Sequence, residues 1–152
     1  RAQVGRVIIG QIHANDDEPI RLYYRLLPGN KKGAIYFAHE PQGEDDEYVE
    51  MLGTRSRSLT DADNPDGIEL NEKFSYVIDV TGTDLKVTIK RDGKDDVIGE
   101  YDMSGSGYYP TRDDEEQYMY FKAGVYNQND TGFGNDYGQA TFYEITNTHS
   151  SN

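Results

Sequence analysis

At 152 residues the chain suits one domain and is long enough to bury a core. The absence of cysteine removes disulfides and thiol chemistry, and no apolar run reaches the roughly 20 residues of a membrane-crossing helix. A net charge of −13 disfavours nucleic acid and anionic membrane as partners, because like charges repel at long range.

In chain order, segments rich in β-branched and aromatic residues predict strands over 6–14 (RVIIGQIHA), 20–27 (IRLYYRLL), 33–39 (GAIYFAH) and 74–80 (FSYVIDV). Further strands are predicted over 85–91 (LKVTIKR), 97–101, 118–128 and 139–148 (QATFYEITNT). Asp92-Gly93 predicts a tight hairpin after 85–91, since its positions favour φ > 0. The acidic runs Asp16-Asp17-Glu18, 44–47 and 113–116 read as solvated loops, as does 61–67 (DADNPDG). No long stretch carries a helical period, and no repeat or linker interrupts the chain. The spacing therefore predicts one all-β domain, a sandwich or jelly roll. The first strand opens almost at residue 1, so its neighbours are expected in a segment outside 1–152.

Two polar strand faces stand out. Tyr120, Lys122, Tyr126 and Gln128 fall on one side of a period-2 pattern, with Phe121, Ala123 and Val125 on the other. Gln11 and His13 share a strand face, which Val7 and Ile9 are expected to continue, with Ile12 opposed. A lone His is more often a satisfied structural residue than a functional one. If the two strands are neighbours, however, one floor holds an imidazole, phenols, an ammonium and amides. An imidazole takes a proton near neutrality, and a phenol of pKa about 10 gives one. Lysine and glutamine hold a carboxylate. The set suits proton abstraction beside a carboxylate, where donors to the developing charge are usually the largest catalytic term.

Other chemistries find less. His13, His39 and His149 are far apart, so no metal cluster is predicted. Asp61-x-Asp63-x-x-Asp66-Gly67 fails calcium-loop spacing. Gly132, Gly134 and Gly138 precede no helix, there is no nucleophile elbow, and no carboxylate pair is singled out.

Gln11-Ile12-His13 together with Tyr120-Phe121-Lys122-Ala123-Gly124-Val125-Tyr126-Asn127-Gln128 resembles the signature of alginate lyases of polysaccharide lyase family 7. Asp102-Met103-Ser104, Ser106-Gly107-Tyr108 and the run from Asp136 to Tyr143 are also similar, so the likeness covers nearly the whole chain. The resemblance implies a jelly-roll β-sandwich of two antiparallel sheets with a concave groove for alginate, a mannuronate and guluronate polymer. It implies β-elimination with His13 as base at C5, Tyr126 as acid at O4, and Gln11 neutralising the carboxylate. With mannuronate, Tyr126 serves both roles. Lys122, with Tyr120 and Gln128 beside it, binds substrate. No metal or organic cofactor is implied. Ile12 goes with guluronate-containing blocks. A secreted or periplasmic protein is implied.

The family's Arg-x-Glu-x-Arg motif is not found: Arg1-Ala2-Gln3-Val4-Gly5 does not match, and Arg55-Ser56-Arg57 lacks the Glu. Residues 1–152 therefore read as the C-terminal two-thirds of one catalytic domain, with the upstream strands missing or on a companion chain. Because alginate is itself a polyanion, a basic groove built from Lys122, Arg21 and Arg25 is expected on the acidic body. The competing reading is a non-catalytic carbohydrate-binding module on the same sandwich.

Overall fold

The computed structural model describes residues 5–14, 17–55, 63–108, 119–129 and 132–148. Among them run strands β1 (Arg6–His13), β2 (Ile20–Arg25), β3 (Lys32–His39), β4 (Glu47–Leu52) and β5 (Ile68–Glu69). They are followed by β6 (Phe74–Thr81), β7 (Asp84–Arg91), β8 (Val97–Asp102) and β9 (Tyr120–Asn127). No helix occurs among the described residues.

β1 to β4 form an antiparallel meander, and β9 returns to pair antiparallel with β1. The large sheet thus has the order β4-β3-β2-β1-β9, with the short β5 on β3, so the first strand finds both neighbours, β2 and β9, within the chain rather than outside 1–152 as expected. β6, β7 and β8 form a second antiparallel meander. The result is the expected jelly-roll sandwich of two antiparallel sheets.

Alternation decides what lies between the sheets. Ile12, Ile20, Leu22, Ile35 and Phe37 of the large sheet pack with Leu85, Val87 and Ile89 of β7. Each such side chain contributes about 1.5–3 kcal/mol on burial. β8 comes closest at Gly99, where an added Cβ would lie 2.8 Å from the Phe37 ring. The face of the large sheet turned away from β7 carries a second cluster: Ile8, Tyr23, Ala34, Tyr36 and Ala38, with Tyr48 packed against it.

The strands expected over 6–14, 20–27, 33–39, 74–80, 85–91, 97–101 and 118–128 form with small shifts at their ends. The Asp92-Gly93 turn also forms, with Gly93 at φ 66° and Lys94 N–H donating to the Arg91 carbonyl at 3.2 Å. Three departures are instructive. β4 and β5 form where no strand was expected, whereas 139–148 is not a strand. In the 63–67 part of the acidic turn, Asp63 accepts from the N–H groups of Lys31 and Lys32 at 2.8 and 2.9 Å, tying the turn to the start of β3. Residues 61 and 62, the run 113–116 and His149 lie outside the described residues.

Candidate active site

β1 and β9 are neighbours, so the two polar faces meet. Gln11 stands opposite Lys122, His13 opposite Tyr120, and Ile8 opposite Tyr126. β9 keeps its period of two, which leaves Tyr120, Lys122 and Tyr126 on one side. Gln128 lies just past the strand end, where its N–H donates to the Arg6 carbonyl at 3.0 Å.

The expected continuation of the Gln11/His13 face through Val7 and Ile9 is corrected. Ile9 and Val7 pack into the core between the sheets, whereas Ile8 joins the Tyr23/Tyr36 cluster on the other face. The reason is a β-bulge: between Ile8 and Gly10, β1 carries one residue more than β2, while β9 carries one more than β1. One extra residue reverses the alternation. Ile8, Gln11 and His13 therefore share the outward face while Ile9 and Ile12 stay inside.

The His13 ring lies 5.4 Å from that of Tyr120. Its Nδ1–H donates to the Ala14 carbonyl, and its Nε2 is turned to the Glu18 carboxylate at 3.4 Å. Lys122 Nζ sits 5.1 Å from the centre of the Tyr120 ring. Gln11 is buried, while Tyr120 and Tyr126 are about half exposed, at 48% and 59%. A concavity of about 180 Å³ lies over this strand pair, lined by Ile8, Gln11, Lys122 and Tyr126 among others. His13 and Tyr120 are brought into contact. Tyr126 is five positions away along β1, roughly 16 Å at about 3.3 Å per residue.

The charge is distributed differently from the expectation. Arg21 does lie on this face, but Asp46 and Glu40 engage its guanidinium, the latter at 3.4 Å. Arg25 donates to the Arg55 carbonyl. Arg55 stacks 3.7 Å from the centre of the Tyr48 ring, and Arg6 sits 4.9 Å from that of Tyr23. These arginines lie over a tyrosine floor. Burial raises the Tyr23 and Tyr36 hydroxyls above the ordinary phenol range, which keeps both neutral. Sequence reading missed Arg6, Arg55 and Glu18. Only the period-2 link from Arg6 to Ile8 pointed to the first, and the bulge breaks its continuation to Gln11.

The site is thus an imidazole, phenols, an amide and cations gathered on one open face of a jelly-roll sandwich. The profile of the alginate lyase family matches residues 1–149, and the chain belongs to that family. A curated alginate lyase from Klebsiella pneumoniae is 54% identical over 156 residues, which is 98% of this chain and 50% of that protein. The crystal structure of the alginate lyase from Klebsiella pneumoniae superposes with a TM-score of 0.79 at 56% identity, covering 88% of this chain and 48% of that one. An exolytic PL7 alginate lyase from Zobellia galactanivorans shares the fold, with a TM-score of 0.67 at 24% identity, over 84% of this chain and 54% of its own. The chain thus spans about half the length of the relatives it matches.

Proposed function

We propose that the protein is a lyase cleaving the 1,4-glycosidic bond of alginate by β-elimination. The observation that carries this is the β1–β9 register, which sets Gln11 against Lys122 and His13 against Tyr120 on one open face. His13 takes the C5 proton at Nε2, the nitrogen not held by the Ala14 carbonyl. The C4–O4 bond breaks as the C4–C5 double bond forms. A phenol gives its proton to the leaving O4. Gln11 and Lys122 bind the C6 carboxylate, which draws off the charge built at C5. Tyr120 and Gln128 flank the bound chain.

Tyr126 is the acid by family pattern. A second reading, favoured by the 5.4 Å ring distance to His13, gives that role to Tyr120. Tyr120→Phe and Tyr126→Phe separate them: the true acid costs about 10²–10⁴ in kcat, the other far less.

β9 is the last strand in the order of the large sheet. We propose that the outer side of β9 receives a further strand, from outside 1–152 or from a companion chain, carrying the arginine that completes carboxylate neutralisation. Ile12 supports preference for guluronate-containing blocks. A polymeric substrate supports action outside the cytoplasm, in the periplasm or medium. The rival reading remains a binding module on this face.

The test is ultraviolet absorbance on mixing with guluronate-rich and mannuronate-rich alginate, since elimination alone leaves a conjugated unsaturated uronate. His13→Ala should lower turnover at least about 100-fold with binding retained. Binding of alginate by the wild type without any rise in absorbance would favour the module, and a rise surviving His13→Ala would remove His13 from the chemistry.

A further inference from the structure

Ile9 is the residue that both ladders of β1 skip. Against β2 the register passes from Ile8↔Tyr23 to Gly10↔Leu22, and against β9 from Ile8↔Tyr126 to Gly10↔Ala123. A bulge residue leaves its carbonyl outside the ladder, and a buried carbonyl without a donor is costly. Here the donor comes from across the core. The hydroxyl of Tyr76, on β6 of the opposite sheet, donates to the Ile9 carbonyl at 2.8 Å. Gly10 makes room for it: an added Cβ would lie 3.0 Å from both the Tyr76 hydroxyl and its ring. Without the bulge, a strict alternation from Ile8 would turn Gln11 and His13 into the core and Ile12 outward. The contact therefore sits at the point where the side of the site is decided.

We propose that Tyr76 is a positioning residue: it pins the Ile9–Gly10 bulge and thereby fixes the orientation of Gln11 and His13 on the open face. Tyr76 touches no substrate and acts only through the β1 backbone. Burial raises its phenol above the ordinary range, so it stays a donor throughout the working pH range. The structural claim stands on the bulge contact. Its catalytic consequence rests on the lyase reading above.

The test compares Tyr76→Phe, which removes only the hydroxyl, with Ile78→Val, which loosens the same core-facing side of β6. The ring signals of His13 are followed by NMR, assigned by their loss in His13→Ala, with buried His39 as internal reference. Amide exchange is read at Gln11 and Ile12. Tyr76→Phe should shift or broaden the His13 signal while His39 stays put, and should speed exchange at the bulge at least about tenfold over Ile78→Val. kcat should fall about 10- to 100-fold with KM little changed, as for a misplaced catalytic group. Gly10→Ala, which crowds the same contact from the other strand, should move His13 likewise. Equal His13 signals and exchange in wild type and Tyr76→Phe, or equal changes in Tyr76→Phe and Ile78→Val, would overturn the proposal. A wild type that forms no unsaturated product would sink the lyase reading alone, because the ring signal and exchange judge Tyr76 without turnover.

Discussion

His39 shows how little a residue type reveals before its surroundings are known. It is fully buried, on the core side of β3. Nδ1–H donates to the Pro19 carbonyl at 2.6 Å, since that oxygen only accepts, and Nε2 accepts from the Ser106 hydroxyl at 2.7 Å. The ring is thus a neutral tie between β3, the segment before β2 and the loop after β8. Burial lowers its pKa, outweighing the Pro19 carbonyl and the nearby Glu47, Asp46 and Glu40 carboxylates. The sign follows. Below about pH 6.5 the unfolded His takes a proton that the folded one resists. The stabilisation is complete above about 6.5 and is lost as pH falls toward the lowered folded value. Urea unfolding at about pH 7.5 and about pH 5.5 should show this loss in the wild type. His39→Gln should lose less over that interval while being about 1–3 kcal/mol less stable at the higher pH. Equal losses in both proteins would place the acid sensitivity elsewhere. At this scale Gln11, His13 and Lys122 were legible as a shared chemistry, but partners such as Glu18 opposite His13 were not. That contact joins β1 to the segment before β2, and no periodicity encodes it.

Among the elements, strands with clean alternation were legible and those shaped by context were not. β4 (Glu47–Leu52) begins inside an acidic run read as a loop. It is the far edge strand of the large sheet, and exposed Glu47 and Glu50 are charges of the kind that blunt an edge. Segment 139–148 has strand composition but no register partner among the described residues, and Tyr143 and Ile145 are exposed. Strand propensity records how a side chain fits a half-buried sheet, so it fails where no strand among the described residues pairs with the segment. The β1 bulge was invisible because Val7, Ile8 and Ile9 are all apolar and either register looks plausible. Gly99 makes the same point in reverse. Propensity alone says that Ala improves a strand. Here the added Cβ would meet Phe37, Val49 and Met51 at 2.8, 3.2 and 3.3 Å. Gly99→Ala should therefore lower stability by about 1–3 kcal/mol through overpacking. A denaturant midpoint at or above the wild-type value would show that β8 moves away from β3 and β4 without cost.

For the whole molecule, the question is how a chain of net charge −13 would hold a polyanion. The answer depends on distance. At about 0.01 M salt the Debye length is about 30 Å, so an approaching uronate polymer meets the summed negative field. At about 0.15 M it is about 8 Å, and acids on the far sheet are screened from the open face. What remains is local: Arg6 over Tyr23, Arg55 over Tyr48 and Lys122 beside Tyr120, with Arg21 largely neutralised by Asp46 and Glu40. At about 1 M, where the length is about 3 Å, even these contacts weaken. On the proposed lyase reading, the dependence of kcat/KM for alginate on salt should therefore be bell-shaped, rising from about 0.01 M to about 0.15 M and falling toward about 1 M. A uniformly basic protein would show only the fall, because its long-range field attracts at every ionic strength. Lys122→Gln should lower the peak and leave the low-salt rise in place, since that rise comes from the distant acids. A kcat/KM falling steadily from the lowest salt would mean that the groove cations dominate even at long range, and that the acidic body plays no part in substrate approach.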